Sequence, residues 1–529
     1  MTTFIHSLLF NTASVKPDNK AISDNKQSIN YADLANATGA LAKTLVELDL
    51  NPSERVGIFL PKLPETVIAF FGVASAGGVF VPINPLLKSH QATYILNDCN
   101  IRILITHMPR LKLLQDHLPQ CPDLHTIVCV DKPPVSAIGH IRVLYWQDIV
   151  TSNQSAFSFR RDPATDSAMA AIMYTSGSTG NPKGVVLSHR NMVVGAESVS
   201  SYLENTEQDK ILAVLPFSFD YGLSQLTTAF KVGASCHLLD YLLPNDIRKV
   251  IEVQQITGLA AVPPLWSQLT KLDWQTSEGS SLRYFTNSGG AMPEATLHKL
   301  ESIFANAKPY LMYGLTEAFR STYLPPPQAK VRPTSMGKAI PNADIKVVRP
   351  NGEECAPNEP GELVHSGPLV SMGYWNAPEK TAERFKPTPG MPVEITTPQL
   401  SVWSGDTVYR DQEGYLYFVG RMDDMIKTSG YRVSPTEVEE AIYDSGYVIE
   451  AAALGLSHAD FGQAIVVIAT TKHENSEEAA ALILKHCQKQ LPNFMVPKKV
   501  LIRDSMPHNA NGKIDRKELG QVYKDLFAD

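Results

Sequence analysis

The chain has 529 residues, with 47 Lys and Arg against 54 Asp and Glu and a formal net charge of -7. That length exceeds one hydrophobic core and predicts two or more domains, and the mildly acidic balance argues against nucleic acid, which would want a basic surface. The six cysteines (Cys99, Cys121, Cys129, Cys236, Cys355, Cys487) are scattered without zinc-site spacing, so buried thiols in a reducing compartment are the default. No apolar run approaches ~18 residues, and the first ten residues carry no basic stretch. Neither a membrane span nor a signal peptide is therefore expected, and the expected location is cytoplasmic.

Read in order, the chain alternates strands and helices. Asn30 caps a helix over 30–50 with Leu34, Leu41, Ala42 and Leu45 at helical spacing. Arg55 to Leu60 reads as a strand, Glu65 to Ala76 as a strongly apolar helix, and Val79 to Ile83 as a second strand. A helix over 92–98, a strand over 101–106 and the segments 111–118 and 126–130 repeat the theme. Such alternation predicts layered α/β sheets with parallel strands. Residues 152–162 read as a loop. Ala168 to Met173 reads as a buried strand, and Val185 to Ser188 is apolar again before a helix capped by Ser188 or Asn191.

Between those apolar runs lies Tyr174 to Gly184, which contains Thr175, Ser176, Gly177, Ser178, Thr179, Gly180 and Lys183. Glycines let the backbone bend and turn several N–H groups toward one point, and hydroxyls add donors. With the charge of Lys183 the combination suits a polyphosphate. It is not a Walker A loop, because Lys183 is followed by Gly184 rather than Ser or Thr. A plain flexible loop is the alternative. Further motifs weigh against that alternative. The string Thr175 to Gly184 resembles the phosphate loop of the adenylate-forming superfamily, which holds acyl-CoA synthetases, luciferases and the adenylation domains of nonribosomal peptide synthesis. The resemblance covers nearly the whole chain.

Strand-like Ile211 to Pro216 leads into Phe217 to Ser224, where Asp220 sits among aromatics. An unpaired carboxylate is costly to bury there. Asp220 either caps a helix starting near Leu223 or pairs with a cationic substrate group. Acyl-CoA synthetases usually carry a His in this region. The Phe-Asp pair instead resembles amino-acid-activating members, whose Asp holds the substrate amine. Ile256 to Pro264 reads as a strand ending in a turn, and Leu282 to Pro293 as a strand opening into a glycine turn before a helix. In the family this turn, here Gly289, Gly290 and Ala291, lies along adenine and the acyl pocket. Met312, Tyr313, Gly314, Thr316 and Glu317 follow. Tyr313 offers a face for adenine, Thr316 a hydroxyl for the α-phosphate, and Glu317 a hard oxygen ligand for Mg2+.

Gly361 to Gly367 and Met372 to Trp375 resemble the β-rich third part of the family's large domain. Asp406 after Gly405 resembles the carboxylate that accepts both ribose hydroxyls; alone, Gly-Asp is a turn. Gly414 to Gly420 alternates like a strand, and Asp423 matches the family's hinge. The expected architecture is a large α/β domain over 1–422 with a β-rich subdomain, and a small mobile α+β domain over 423–529. The small domain reads as a helix over 434–443 opened by Ser434 and Pro435, strands over 448–454 and 464–471, a helix over 476–490 and a final turn. Near its end Lys513 lies in a polar turn. By composition it is a solvated lysine; in the family's pattern the lysine of this Gly-Lys pair enters the active site.

The implied chemistry is attack of a carboxylate on ATP, giving an acyl-AMP and pyrophosphate, with ATP and Mg2+ required. Two anions must meet, so catalysis is mostly positioning and charge stabilisation. Mg2+, residues 175–180 and Lys183 would neutralise the β- and γ-phosphates. Lys513 would bridge carboxylate and α-phosphate, and Asp406 with Arg421 would anchor ribose and phosphate. For thioester formation the small domain would turn about Asp423 and present Thr428 to Arg432.

The residues implied for the acid pocket are Asp220, Tyr221, Ser224, Ala261, Thr286, Ser288, Met312, Arg320 and Ser321, a compact and partly polar set. A long lipid chain would want a deeper, greasier tunnel. Pro216 to Gln225 looks most like free-standing ligases that load L-proline onto a carrier protein. Similar wording occurs in acyl-CoA ligases linked to bacterial export clusters. Arg320 either pairs with Asp220, which blocks the amine role, or meets a second anion. No phosphopantetheine-serine motif follows Lys513, so a carrier is expected to be a separate protein. The first expectation is an amino acid–carrier protein ligase, L-proline foremost, acting in secondary metabolism. The second is an AMP-forming acyl-CoA synthetase for a small or aromatic acid. The third, a non-catalytic nucleotide- or acyl-binding relative, is disfavoured by the joint presence of Lys183, Thr316, Glu317, Asp406, Arg421 and Lys513.

Overall fold

The computed structural model describes residues 3–527 apart from 153–159, 164, 176–181, 276, 393, 422–423, 429–430, 459–460, 492 and 510–511, and describes only the backbone of 151, 152, 427, 431 and 432. The alternation of apolar strands and helices builds the expected α/β layers. In one sheet Val79–Pro82, Arg55–Phe59, Ile103–Thr106, Thr126–Cys129 and Ile141–Tyr145 run side by side in parallel. Strand Met169–Thr175 continues the parallel set beside Val79–Pro82. Several of these strands, such as Val79–Pro82 and Ile103–Thr106, are buried at every position. That follows when helices cover both faces of a parallel sheet.

A second, longer sheet begins parallel and ends antiparallel. Lys20–Ser23, Ser235–Leu238, Lys210–Ala213, Gly258–Ala261, Tyr284–Asn287 and Lys308–Tyr313 are parallel neighbours. Beyond Lys308–Tyr313 the order passes antiparallel through Thr322–Leu324, Ser335–Ala339, Leu416–Arg421, Leu400–Arg410, Gly361–Ser366 and Asp344–Val348. This antiparallel half is the β-rich part expected from the sequence. A third sheet pairs Ile426–Thr428, Gly462–Thr471 and Val448–His458, with helices Pro435–Asp444 and Ser476–Gln490 packed on a core of its own that includes Val438, Ile442, Ile465, Val467 and Ile483. Among the described residues no helix is long and apolar enough to cross a membrane. All six cysteines are buried free thiols.

Several local expectations need correction. Asp220 caps nothing: the helix Asp220–Val232 starts at Asp220 itself, no side chain caps it, and Gly233 at φ +79 ends it. Ser188, not Asn191, is the N-cap of His189–Tyr202; Ser188 Oγ accepts from the Asn191 N–H while Asn191 Oδ1 accepts from the Ser188 N–H. Asp406 does not follow a turn. It lies inside the strand Leu400–Arg410, where Gly405 at φ +72 makes room for Arg384; a Cβ there would sit 1.9 Å from Nη1. The end of the chain is not only a turn, because a helix Arg516–Val522 follows, capped by Asp515.

Candidate active site

The carboxyl ends of the parallel strands of the longer sheet converge on one cleft, the usual place for ligands in open α/β sheets. Ala261, Asn287 and Leu311 lie abreast there in register. Strand Met169–Thr175 and strand Lys183–Ser188 pair antiparallel, with Thr175 opposite Lys183. The two ends of the phosphate-type stretch thus lie on paired antiparallel strands, unlike a P-loop, which runs from a strand into a helix. Ser176, Gly177, Ser178, Thr179 and Gly180 lie outside the described residues, as does the hinge candidate Asp423. Thr175 Oγ1, at the end of the first of these strands, is buried and has no hydrogen-bond partner among the described residues.

Lys183 projects from the second strand onto Tyr374. Its Nζ donates to Tyr374 Oη at 3.0 Å, lies 4.2 Å from the ring centre, and stands 3.6 Å from Glu317 Oε1. Tyr374 Oη donates to Glu317 Oε1 at 2.6 Å. Burial lowers the Lys183 ammonium below its usual value of 10.5, while Glu317 pulls the other way. The backbone fixes this trio. Met372 N donates to Val186 O, Trp375 N to Gly184 O, and Ser371 N to Glu317 O. The sequence marks Met372 to Trp375 as part of the β-rich region but assigns Tyr374 no role. No local spacing signals a contact across 191 residues.

A second group surrounds Asp406. Tyr313 Oη donates to Asp406 Oδ2 at 2.5 Å, and Arg421 Nε donates to Oδ1 at 3.0 Å. Asp406 is buried, whereas the Arg421 side chain is 59% exposed. The adjacent Asp406 carboxylate raises the Arg421 guanidinium above its usual value. Tyr313 stays half-buried, so its ring remains available to a flat ligand.

The third group is a buried cluster. Asp220 Oδ1 accepts from Thr316 Oγ1 at 3.2 Å, and Asp220 Oδ2 accepts from Arg320 Nη1 at 3.3 Å. Arg320 Nη2 donates to Ser224 Oγ at 3.1 Å, and its guanidinium lies 4.5 Å from the Tyr221 ring centre. Tyr221 Oη and Thr286 Oγ1 are 2.5 Å apart. Burial raises the Asp220 carboxyl, opposed by Arg320, Lys513 and the Thr316 hydroxyl. Asp220, Tyr221, Ser224, Thr286 and Arg320, all from the expected acid pocket, therefore meet in one cluster, joined by Thr316, which the sequence reading assigned to the α-phosphate. Ser321 and Met312 do not join them. Ser321 Oγ pairs with His365 Nδ1 at 2.9 Å, and Met312 Sδ accepts from Tyr202 Oη at 3.0 Å. The φ of +56 at Phe319 turns the chain between Thr316 and Arg320. Ser288 is buried after Asn287, whose Nδ2 donates to Gly290 O.

Lys513 enters this cleft rather than pointing to solvent. Its stem lies over Gly289, where a Cβ would come within 2.9 Å of Cε, and its Nζ is 5.5 Å from the Phe219 ring centre. Gly289, at φ +83, tolerates both the backbone shape and the approach. Burial lowers the Lys513 ammonium, and Asp220 opposes the shift most strongly. The lysine turn is held by Asn509, whose Oδ1 accepts from the Lys513 N–H and whose N–H donates to Lys513 O. Gly290 and Ala291 are set beside the cleft, both exposed. Next to it lies a groove of about 450 Å3, lined by Phe217, Ser218, Val262, Leu265, Gln268 and Gly512 among others.

The donor set fits a nucleotide and its metal. The orphaned Thr175 hydroxyl and the Lys183 ammonium suit phosphate oxygens. Glu317 supplies a hard carboxylate beside Lys183, and no group of three or more metal-ligating side chains occurs among the described residues. A magnesium ion keeps waters and phosphate oxygens as its other ligands, so one carboxylate suffices.

Comparison with known proteins shows the family. The model of the AMP-binding enzyme family matches residues 9–375, and that of the AMP-binding enzyme C-terminal domain matches residues 437–513. A long-chain-fatty-acid–CoA ligase of Bacillus subtilis (strain 168) is 29% identical over 550 residues, covering 97% of this chain and 94% of the relative. Tyrocidine synthase 1 of Brevibacillus parabrevis is 28% identical over 529 residues, 97% of this chain but 44% of that longer protein. The crystal structure of an anthranilate CoA ligase in complex with anthranoyl-AMP superposes with TM-score 0.89 at 25% identity, covering 100% of this chain and 99% of that one.

Proposed function

The chain belongs to the AMP-binding enzyme family and is an AMP-forming ligase, and from that premise we propose that it activates a small or aromatic carboxylic acid as the acyl-AMP and passes the acyl group to the thiol of CoA. One observation carries the choice of acid: Asp220, the carboxylate that would hold a substrate amine, already pairs with Arg320 inside the cluster. An α-amino acid would have to displace a buried guanidinium before its ammonium could bind.

In the first half-reaction an oxygen of the acid attacks the α-phosphorus of ATP. A new O–P bond forms as the bond to the β-phosphate oxygen breaks, and pyrophosphate leaves. Lys513 lies where both anions meet and offsets the charge that gathers between them. Lys183, oriented by Tyr374, holds the leaving phosphates. Bound at Glu317, Mg2+ would neutralise phosphate charge and template the triphosphate. Asp406, flanked by Tyr313 and Arg421, takes the ribose hydroxyls. In the second half-reaction a thiol sulfur attacks the acyl carbon and AMP leaves. The groove beside Gly512 and Val262 is of a size to admit a thiol-bearing arm. The domain division at 422 and 423, with rotation about Asp423 between the two half-reactions, is part of this reading.

A second reading is supported by the position of Asp220 and the wording of Pro216 to Gln225. In it the acid is an amino acid, L-proline foremost, and the acceptor is the phosphopantetheine thiol of a separate carrier protein. Acid-dependent exchange of labelled pyrophosphate into ATP separates the two. Exchange with cyclopentanecarboxylate or benzoate but not L-proline supports the first; exchange with L-proline alone supports the second.

A further inference from the structure

Asp220 and Arg320 are each only 2% exposed. A buried ion pair is weak evidence of a stability role, since apolar replacements are often as stable. This pair is also loosely made. Its contact is a single 3.3 Å approach of Nη1 to Oδ2, with no partner at all for the buried Arg320 Nε among the described residues. A well-formed carboxylate–guanidinium pair is bidentate, with N–O distances of roughly 2.7–2.9 Å. Each ion therefore retains unused capacity, and both lie beside the group that must receive the acid. Thr316 donates to Asp220, and Lys513 is charge-coupled to it. A substrate carboxylate held by Lys513 would put its α substituent against this pair.

We propose that Arg320 is the charge gate of the acid pocket: its guanidinium occupies the place on Asp220 that a substrate ammonium would take, and the mutually neutralised pair selects acids whose remaining part is uncharged. The inference rests on the acid-activating reading above. Ser224 and Tyr221 hold the gate in place, one as hydrogen-bond acceptor for Nη2 and the other as a stacking surface. The chemistry of the reaction is unchanged by the gate. What changes is which acid the pocket accepts, because a buried polar group left unpaired discriminates strongly.

The two ions give opposite predictions when removed singly. Arg320→Leu leaves Asp220 to accept an ammonium, so the preference should move toward L-proline over cyclopentanecarboxylate and toward L-phenylalanine over 3-phenylpropanoate. Asp220→Asn leaves Arg320 to accept an anion, so the preference should move toward phthalate over benzoate. In the double variant Asp220→Asn/Arg320→Gln neither shift should occur. Each change is read as a ratio of kcat/KM in pyrophosphate exchange, with a shift of about tenfold or more expected. Folding is checked by the ATP-induced rise in melting temperature. If one single variant fails to fold, the other decides; if both fail, a double variant that accepts either charged class overturns the gate. A folded single variant that keeps the wild-type charge preference overturns it as well. A wild-type enzyme that exchanges with no acid in the panel contradicts the activity reading instead, which keeps the two failures distinct.

Discussion

At the residue scale the account depends on two lysines reaching the same cleft from different parts of the chain. Lys513 lies over Gly289 beside Asp220, and Lys183 lies on Tyr374 beside Glu317. Replacing Lys513 by Ala should lower the rate of adenylate formation by about 10^2-fold or more while the melting temperature holds, since it removes a preorganised charge at the reacting centre; an unchanged exchange rate would contradict its role. Tyr374→Phe removes the hydroxyl that bridges Lys183 and Glu317. One hydrogen bond to a charged group is worth about 1.5–3 kcal/mol, so KM for ATP should rise roughly 10-fold or more with little change in the KM for the acid. Both lysines are depressed by burial, and both must be protonated to bind anions. Exchange should therefore be lost, as pH rises, below the ordinary lysine value of 10.5 rather than at it. The lysines, Thr316, Glu317, Asp406 and Arg421 were legible in the sequence because each sits in a short ordered motif. Tyr374 as a brace, and the choice of Arg320 between Asp220 and a second anion, were not, because those contacts span 191 and 100 residues.

At the element scale, what the sequence revealed follows apolar periodicity. The helix Tyr31–Glu47 capped by Asn30, the strand Arg55–Phe59 and the helix Ser476–Gln490 stand where their patterns put them. Less legible were features set by a single backbone angle or by tertiary contact. Gly405 reads locally as a turn but lies in a long strand, because Gly361–Ser366 and Leu416–Arg421 pair on either side of it. Short strands such as Thr322–Leu324 carry too few residues for a periodic signal. Two substitutions test the elements that carry the site. Ser188→Ala removes the cap of His189–Tyr202 and should cost about 1 kcal/mol in a denaturant titration. Gly222→Ala would place a methyl 2.1 Å from Pro216 O. The backbone cannot give by that much locally, so the helix bearing Asp220 should shift. Acid-dependent exchange should fall far more than ATP binding, measured by calorimetry; an equal loss of both would argue for general unfolding.

For the whole molecule, burial couples stability to pH. It holds His189 and His365 down to about 3, whereas a histidine in the unfolded chain titrates near 6.5. Between those values the unfolded state binds more protons than the folded state, so stability rises with pH. The contribution is fully present above about 6.5 and is lost progressively as pH falls toward 3, at up to about 1.4 kcal/mol per pH unit for each histidine. Urea midpoints at pH 7.5, 6 and 5 should fall in that order, and His365→Gln should flatten the trend; a midpoint independent of pH would contradict it. Lys513 lies in the stretch matched by the C-terminal domain model, whereas Lys183, Asp220, Glu317 and Arg320 lie in the stretch matched by the AMP-binding model. The measurement that tests the central claim most directly is ATP–pyrophosphate exchange by the intact chain across paired acids. The account predicts exchange that depends on an added carboxylic acid, favours the uncharged member of each pair, and collapses in Lys513→Ala. ATP binding without exchange for any acid, or full exchange in Lys513→Ala, would contradict it.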